Sequence, residues 1–119
     1  MTETPASISA HQYAHMMAAQ MTEKVFQQAV ENLALRAGWL VYHTHDSRRS
    51  QPGFPDLVLV HGARRLVLFR ELKTQTGKTS AAQKRWMAEL KAAGADAAVW
   101  RPLDWHTHVI HRALTGDAS

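Results

Sequence analysis

Apolar residues recur at helical spacing in the first third of the chain. Phe26, Ala29, Val30, Leu33 and Ala37 make one stripe, with Thr22 placed to cap its start and Gly38 to end it. A helix from about 22 to 37 follows. Trp39 to His43 then reads as a strand, and the polar, proline-containing stretch 44–55 (THDSRRSQPGFP) as a loop. Asp56 opens a second strand, Leu57 to Val60. His61 to Arg64 forms a tight turn, and Arg65 to Lys73 returns as an antiparallel hairpin partner. After a polar loop over 74–79, Ser80-Ala81-Ala82-Gln83 has the S-x-x-Q form of a capping box. The helix it opens is expected to bury Ala82, Trp86, Leu90 and Ala93 and to stop at Gly94. Ala97 to Trp100 is a fourth strand, and strand, helix and strand in succession predict a right-handed parallel crossover. Asp104 caps a last helix to about Leu114. Residues 1–20 read as a leader, weakly ordered or helical, residues 21–115 as the domain, and 116–119 as a tail. The order α-β-β-β-α-β-α predicts the α/β class, with a short mixed β-sheet flanked by helices.

Composition narrows the classes. A chain of 119 residues with 45% hydrophobic content suits one globular domain. With no cysteine, it has neither a disulfide framework nor a thiolate metal site, which fits a cytoplasmic location. No run approaches the roughly 20 apolar residues of a membrane span, and no secretory signal pattern opens the chain. The net charge of +4 is unevenly spread. Between Arg48 and Arg101 stand eleven Lys/Arg against four Asp/Glu, a local excess of +7. Such a segment suits a polyanionic partner, although a solvated basic surface gives the same count.

Asp56, Glu71 and Lys73 carry the candidate chemistry. Side chains alternate along a strand, so Glu71 and Lys73 leave the same face, roughly 7 Å apart. Val67 and Phe69 share that face and are expected to point to the core. The hairpin sets Asp56 opposite Arg70 or Glu71. Two carboxylates that close repel, and one takes up a proton unless a hard cation such as Mg²⁺ removes the conflict. A bound cation polarises a phosphoryl oxygen and acidifies water, and Lys73 stands ready to orient that water or stabilise the developing charge. An exposed ion pair at a frayed strand end is the rival account of E-x-K.

Pro55-Asp56 followed by Glu71-Leu72-Lys73 resembles the PD-(D/E)xK nuclease signature. The surrounding sequence is similar to one branch, the VRR-NUC domain, over about residues 22–105. The resemblance runs through T-E-K-V-F-Q, G-W-L-V-Y-H-T-H, G-F-P-D-L-V-L-V, E-L-K-T, S-x-x-Q-x-x-W and V-W-R-P. It implies a restriction-endonuclease-like core, Mg²⁺ or Mn²⁺ dependence and DNA cleavage. The small stand-alone domains of phage or bacterial type, and structure-specific nucleases acting on branched or flap DNA, are its members. It also implies a metal set of Glu23, Asp56, Glu71 and the backbone carbonyl of Leu72. Glu31 competes with Glu23 for the first-helix position, and an acid in a first turn is favoured by the helix dipole in any case. Gln83 matches the family's glutamine, although the capping box explains it equally.

His43 and His45 lead towards the loop before Asp56, a stretch that lines the cleft in related sequences. Arg48, Arg49, Lys78, Lys84 and Arg85 are candidates for DNA phosphates. His106, His108 and His111 read as surface histidines, and Trp39, Trp86 and Trp100 as packing residues. A zinc protein is a rival, but H-x-H without two further ligands is weak. A DNA-binding module that kept the fold and lost cleavage is the other alternative. A homodimer would set two active sites on two strands.

Overall fold

The computed structural model describes residues 8–44 and 51–116. Helices α1 (Ala10–Gln20) and α2 (Glu23–Arg36) precede strands β1 (Leu40–His43), β2 (Leu57–His61) and β3 (Leu66–Leu72). Helix α3 (Ala81–Ala92), strand β4 (Asp96–Trp100) and helices α4 (Pro102–His106) and α5 (Val109–Thr115) complete the chain. The sheet order is β1-β2-β3-β4, with the first two pairings antiparallel and β3-β4 parallel. The mixed sheet flanked by helices is as expected, as are the hairpin and the parallel return.

One face of the sheet holds the core. Phe26, Val30 and Ala34 of α2 meet Leu57, Leu59, Leu68, Leu72 and Trp100, and α5 adds Ile110 and Leu114. Trp39 is buried there, and its indole N–H donates to the Leu114 carbonyl at 2.8 Å, which ties the end of α5 to the start of β1. Burying the polar end of a tryptophan this way avoids an unsatisfied donor.

The element order differs from expectation at both ends. Helix α1 is closed by its own capping box: Ser9 Oγ accepts from the Gln12 amide, and Gln12 Oε1 from the Ser9 amide. It buries Ala14 and Ala18 and packs on α4. The expected last helix is two. Asp104 is the third residue of α4 rather than its cap, and its carboxylate accepts from the Arg101 amide at 2.8 Å. The chain turns at His108, which has a φ of 65°. The break lets α4 serve α1 while α5 turns its apolar residues into the core.

Two burial expectations are corrected. Val67 is 46% exposed and Phe69 only half-buried, whereas Leu68 and Leu72 face the main core. The Phe69–Glu71 face lies instead under α3 and the 51–55 loop. On α3, Met87 is the buried residue; Ala82, Trp86 and Leu90 are half-buried, and Ala93 is exposed. A helix lying over a polar strand end has little apolar surface to cover.

Candidate active site

The hairpin register builds the site. Leu57 pairs with Arg70, so Asp56, one residue earlier, stands opposite Glu71. Pro55 is fully buried and holds the approach. The Thr44 amide donates to the Asp56 carbonyl at 2.9 Å, and the Leu72 amide to Asp56 Oδ2 at 2.9 Å. The carboxylate is thereby locked against β3.

Glu71 is 2% exposed. Its Oε2 accepts a hydrogen bond from Gln83 Nε2 at 2.8 Å and lies 3.7 Å from Lys73 Nζ. Its Oε1 is buried and, among the described residues, has no hydrogen-bond partner. Burial first, and then the charge of Asp56, push the Glu71 carboxyl up to about 8, with Lys73 only partly opposing them. An acceptor oxygen buried beside a second carboxylate is a costly arrangement unless a cation completes it. The donor set of carboxylate oxygens fits Mg²⁺ or Mn²⁺.

Asp56 also opens onto a cleft of about 320 Å³ lined by Glu23, Gln27, His43 and Gln83 among others. Of the two first-helix acids, Glu23 lines this cleft; Glu31 lies two turns on and accepts from Gln27 Nε2 at 2.9 Å. Among the described residues no three His, Asp or Glu side chains are gathered into a ready-made metal cage. The fold supplies the Asp56–Glu71 pair, and Glu23 lines the same cleft as Asp56.

Gln83 makes two side-chain hydrogen bonds at once. Its Oε1 accepts from the Ser80 amide in the capping box, and its Nε2 holds Glu71. Lys84 and Arg85 are exposed on α3, and Lys78 is exposed on the 74–79 loop. His45, Arg48 and Arg49, with the rest of the 45–50 loop, lie outside the described residues. The three late histidines are not all at the surface. His106 and His111 are half-buried, with pKa values lowered by burial and then by His108. The His111 ring packs on Trp105 at 4.4 Å.

The support beneath Asp56 went unread in the sequence. Gly53 has a φ of 90°, and a Cβ there would lie 2.4 Å from the Ala82 carbonyl carbon, so only glycine lets the loop close on α3. Trp86 donates its indole N–H to the Pro52 carbonyl at 3.1 Å, and Phe54 stands edge-on to Trp86 and Phe69. The signal was G-F-P beside S-x-x-Q-x-x-W, two segments that pack on each other.

With this geometry in view, the family model of the VRR-NUC domain matches residues 4–102. The chain belongs to the VRR-NUC family. That family is one of nuclease domains. A solved VRR-NUC domain is 24% identical, with a TM-score of 0.62 over 75% of this chain and 94% of that one. A second VRR-NUC domain protein is 21% identical, with a TM-score of 0.59 over 77% and 87%. These likenesses show a shared fold. The Holliday junction resolvase Hjc of Archaeoglobus fulgidus is 24% identical over 62% of each chain, with a TM-score of 0.48. No curated protein matches the sequence.

Proposed function

We propose that this VRR-NUC domain is a Mg²⁺- or Mn²⁺-dependent deoxyribonuclease. The observation that carries the reading is the buried Glu71 Oε1 beside Asp56, which no described residue hydrogen-bonds, with Lys73 Nζ next to the same carboxylate. Asp56, Glu71 and the Leu72 carbonyl hold the cation, with Glu23 reaching from α2. When bound, the cation supplies Lewis acidity to the phosphoryl oxygen and lowers the pKa of water. Lys73 orients the attacking water and offsets charge developing on phosphorus. Gln83 fixes Glu71 from α3, so the carboxylate is already oriented before DNA arrives. His43 lines the approach. The basic side chains Lys78, Lys84 and Arg85 meet the phosphates, as do Arg48 and Arg49 from the loop before Asp56. We extend the proposal to branched or flap DNA, with a homodimer bringing two sites to two strands.

The test is cleavage of labelled single-stranded, duplex, flap and four-way-junction DNA with Mg²⁺, Mn²⁺ or EDTA. Cutting in either metal and none in EDTA is expected, and the preferred substrate gives the structural class. Binding without cutting under every metal would leave an inactive DNA-binding module as the reading.

A further inference from the structure

The V-W-R-P segment has a role that cation binding and water activation do not use. Arg101 follows β4 and is half-buried. Its Nη1 donates to two backbone carbonyls of the loop after the E-L-K segment, Thr74 and Gly77, each at 2.7 Å. Gln75 closes the same loop from the other side, its Oε1 accepting from the Leu103 amide at 2.9 Å at the start of α4. The Lys73 amide is itself bonded to the Trp100 carbonyl at 3.1 Å, so the end of β4 grips this segment in succession. Charge-assisted bonds from one guanidinium to two carbonyls are stronger than neutral ones. The loop over 74–79 is therefore held in shape by residues that touch no reacting atom.

The held loop forms one wall of a groove of about 370 Å³ lined by polar residues, with Lys78, Lys84 and Arg101 and, among the described residues, no carboxylate. Thr79 and Lys84 also line a neighbouring hollow that contains Glu71 and Gln83. Gln83 in turn lines the Asp56 cleft. The three concavities thus adjoin in series through shared residues: the Asp56 cleft meets the Glu71 hollow at Gln83, and that hollow meets the Lys78 groove at Thr79 and Lys84. Arg101 is occupied by the loop carbonyls, which leaves Lys78 and Lys84 as the exposed cations of the groove.

We infer that this groove is a phosphate subsite for the DNA strand beside the scissile bond, and that Arg101 is a positioning residue that shapes it by latching the 74–79 loop. The inference rests on the nuclease reading and adds the track of the strand to it. Its ligand is the DNA backbone, recognised through charge and not through base edges.

The experiment is DNA binding by the full chain in EDTA, followed by anisotropy of a fluorescein-labelled duplex across a range of salt. Each lost phosphate contact reduces the slope of log affinity against log salt by about 0.9 on duplex DNA. Lys78→Ala is expected to weaken binding several-fold and lower the slope by about one, with its melting temperature unchanged. Arg36→Ala, at the far end of α2, leaves the slope as in wild type. Arg101→Gln lowers the slope as Lys78→Ala does, and the double variant goes no lower, because both act on one contact. Arg101→Lys keeps the charge but lacks the planar fork that holds both carbonyls, and gives the same loss. It carries the test of the latch if Arg101→Gln does not fold. An unchanged slope in Lys78→Ala overturns the subsite. Additive losses in the double variant, or an unchanged slope in Arg101→Lys, overturn the latch. A wild type that cuts DNA while Lys78→Ala keeps its slope removes this inference and the phosphate role of Lys78, and leaves the metal-dependent nuclease reading standing. A wild type that neither binds nor cuts removes the nuclease reading with it.

Discussion

Gln83 Nε2 donates to Glu71 Oε2 at 2.8 Å while Gln83 Oε1 accepts from the Ser80 amide at 2.8 Å. One side chain thus closes the N-terminus of α3 and fixes a buried carboxylate on β3. The helix cap and the candidate active site are parts of one hydrogen-bonded unit.

Substitutions at Gln83 separate the two duties. Gln83→Glu keeps the capping-box form but replaces the amide donor with a second anion beside Glu71. Gln83→Ala loses both bonds, at a cost of about 1–2 kcal/mol from the cap and from the buried Glu71 acceptor left without its donor. Urea unfolding without metal is expected to show both variants destabilised. Added Mn²⁺ should recover more of the loss in Gln83→Glu, whose extra charge the cation offsets.

Glu71 gives the metal-free protein a pH dependence of definite sign. Its pKa is raised from 4.5 to about 8, so between those values the native state binds a proton that the unfolded chain has released. Stability from this group is therefore greatest at the acid end and declines as pH rises through that window. Glu71→Gln, which stays neutral, should flatten this slope. Urea midpoints at pH 5.5, 7 and 8.5 measure it. A wild-type midpoint that climbs over this range because of Glu71 would contradict the burial argument.

Cation binding competes with that proton, so divalent affinity should rise with pH towards 8. At a concentration 100 times the dissociation constant, a cation bound only by the native state adds about 2.7 kcal/mol. Mg²⁺ or Mn²⁺ is expected to raise the melting temperature of wild type, and Asp56→Asn to abolish the shift. Equal shifts in the two proteins would place the cation elsewhere.

Arg70 and Asp96 make a structural prediction away from the chemistry. Arg70 is 5% exposed, lies 2.8 Å from Asp96 and stacks on Trp100 at 4.6 Å, and among the described residues its Nε has no partner. Asp96→Ala leaves this buried cation without its counter-charge, held only by the Phe69 and Asp96 carbonyls, whereas Arg70→Met removes it and fills the space. Chemical denaturation should rank Asp96→Ala as the less stable variant.

The hairpin and the E-L-K face were legible because period-two alternation and turn length fix which side chains meet. That brought Asp56 to Glu71 from sequence alone. The side of the sheet holding the main core was not legible, because β3 is covered on both faces and the burial of Phe69 under α3 mimics a core residue. Ser9-Ala10-His11-Gln12 carries the same S-x-x-Q signal as Ser80–Gln83, yet α1 lacks a clear apolar stripe to support it. Its buried residues, Ala14 and Ala18, are small and meet α4 from far along the chain. The break at His108 left no mark, since no glycine or proline stands there. Arg101 as a latch was invisible because its two partners are backbone carbonyls, which no residue pattern records.

The most direct test of the central claim is single-turnover cleavage of the preferred DNA substrate by Asp56→Asn in Mg²⁺. Asparagine can still accept the Leu72 amide through its side-chain oxygen, so the fold survives while the charge is lost. DNA binding in EDTA comparable to wild type, with cutting reduced by at least about a thousandfold on the scale of lost electrostatic groups, is the predicted result. Cleavage at the wild-type rate would contradict the assignment of Asp56 and Glu71 as the cation-holding pair.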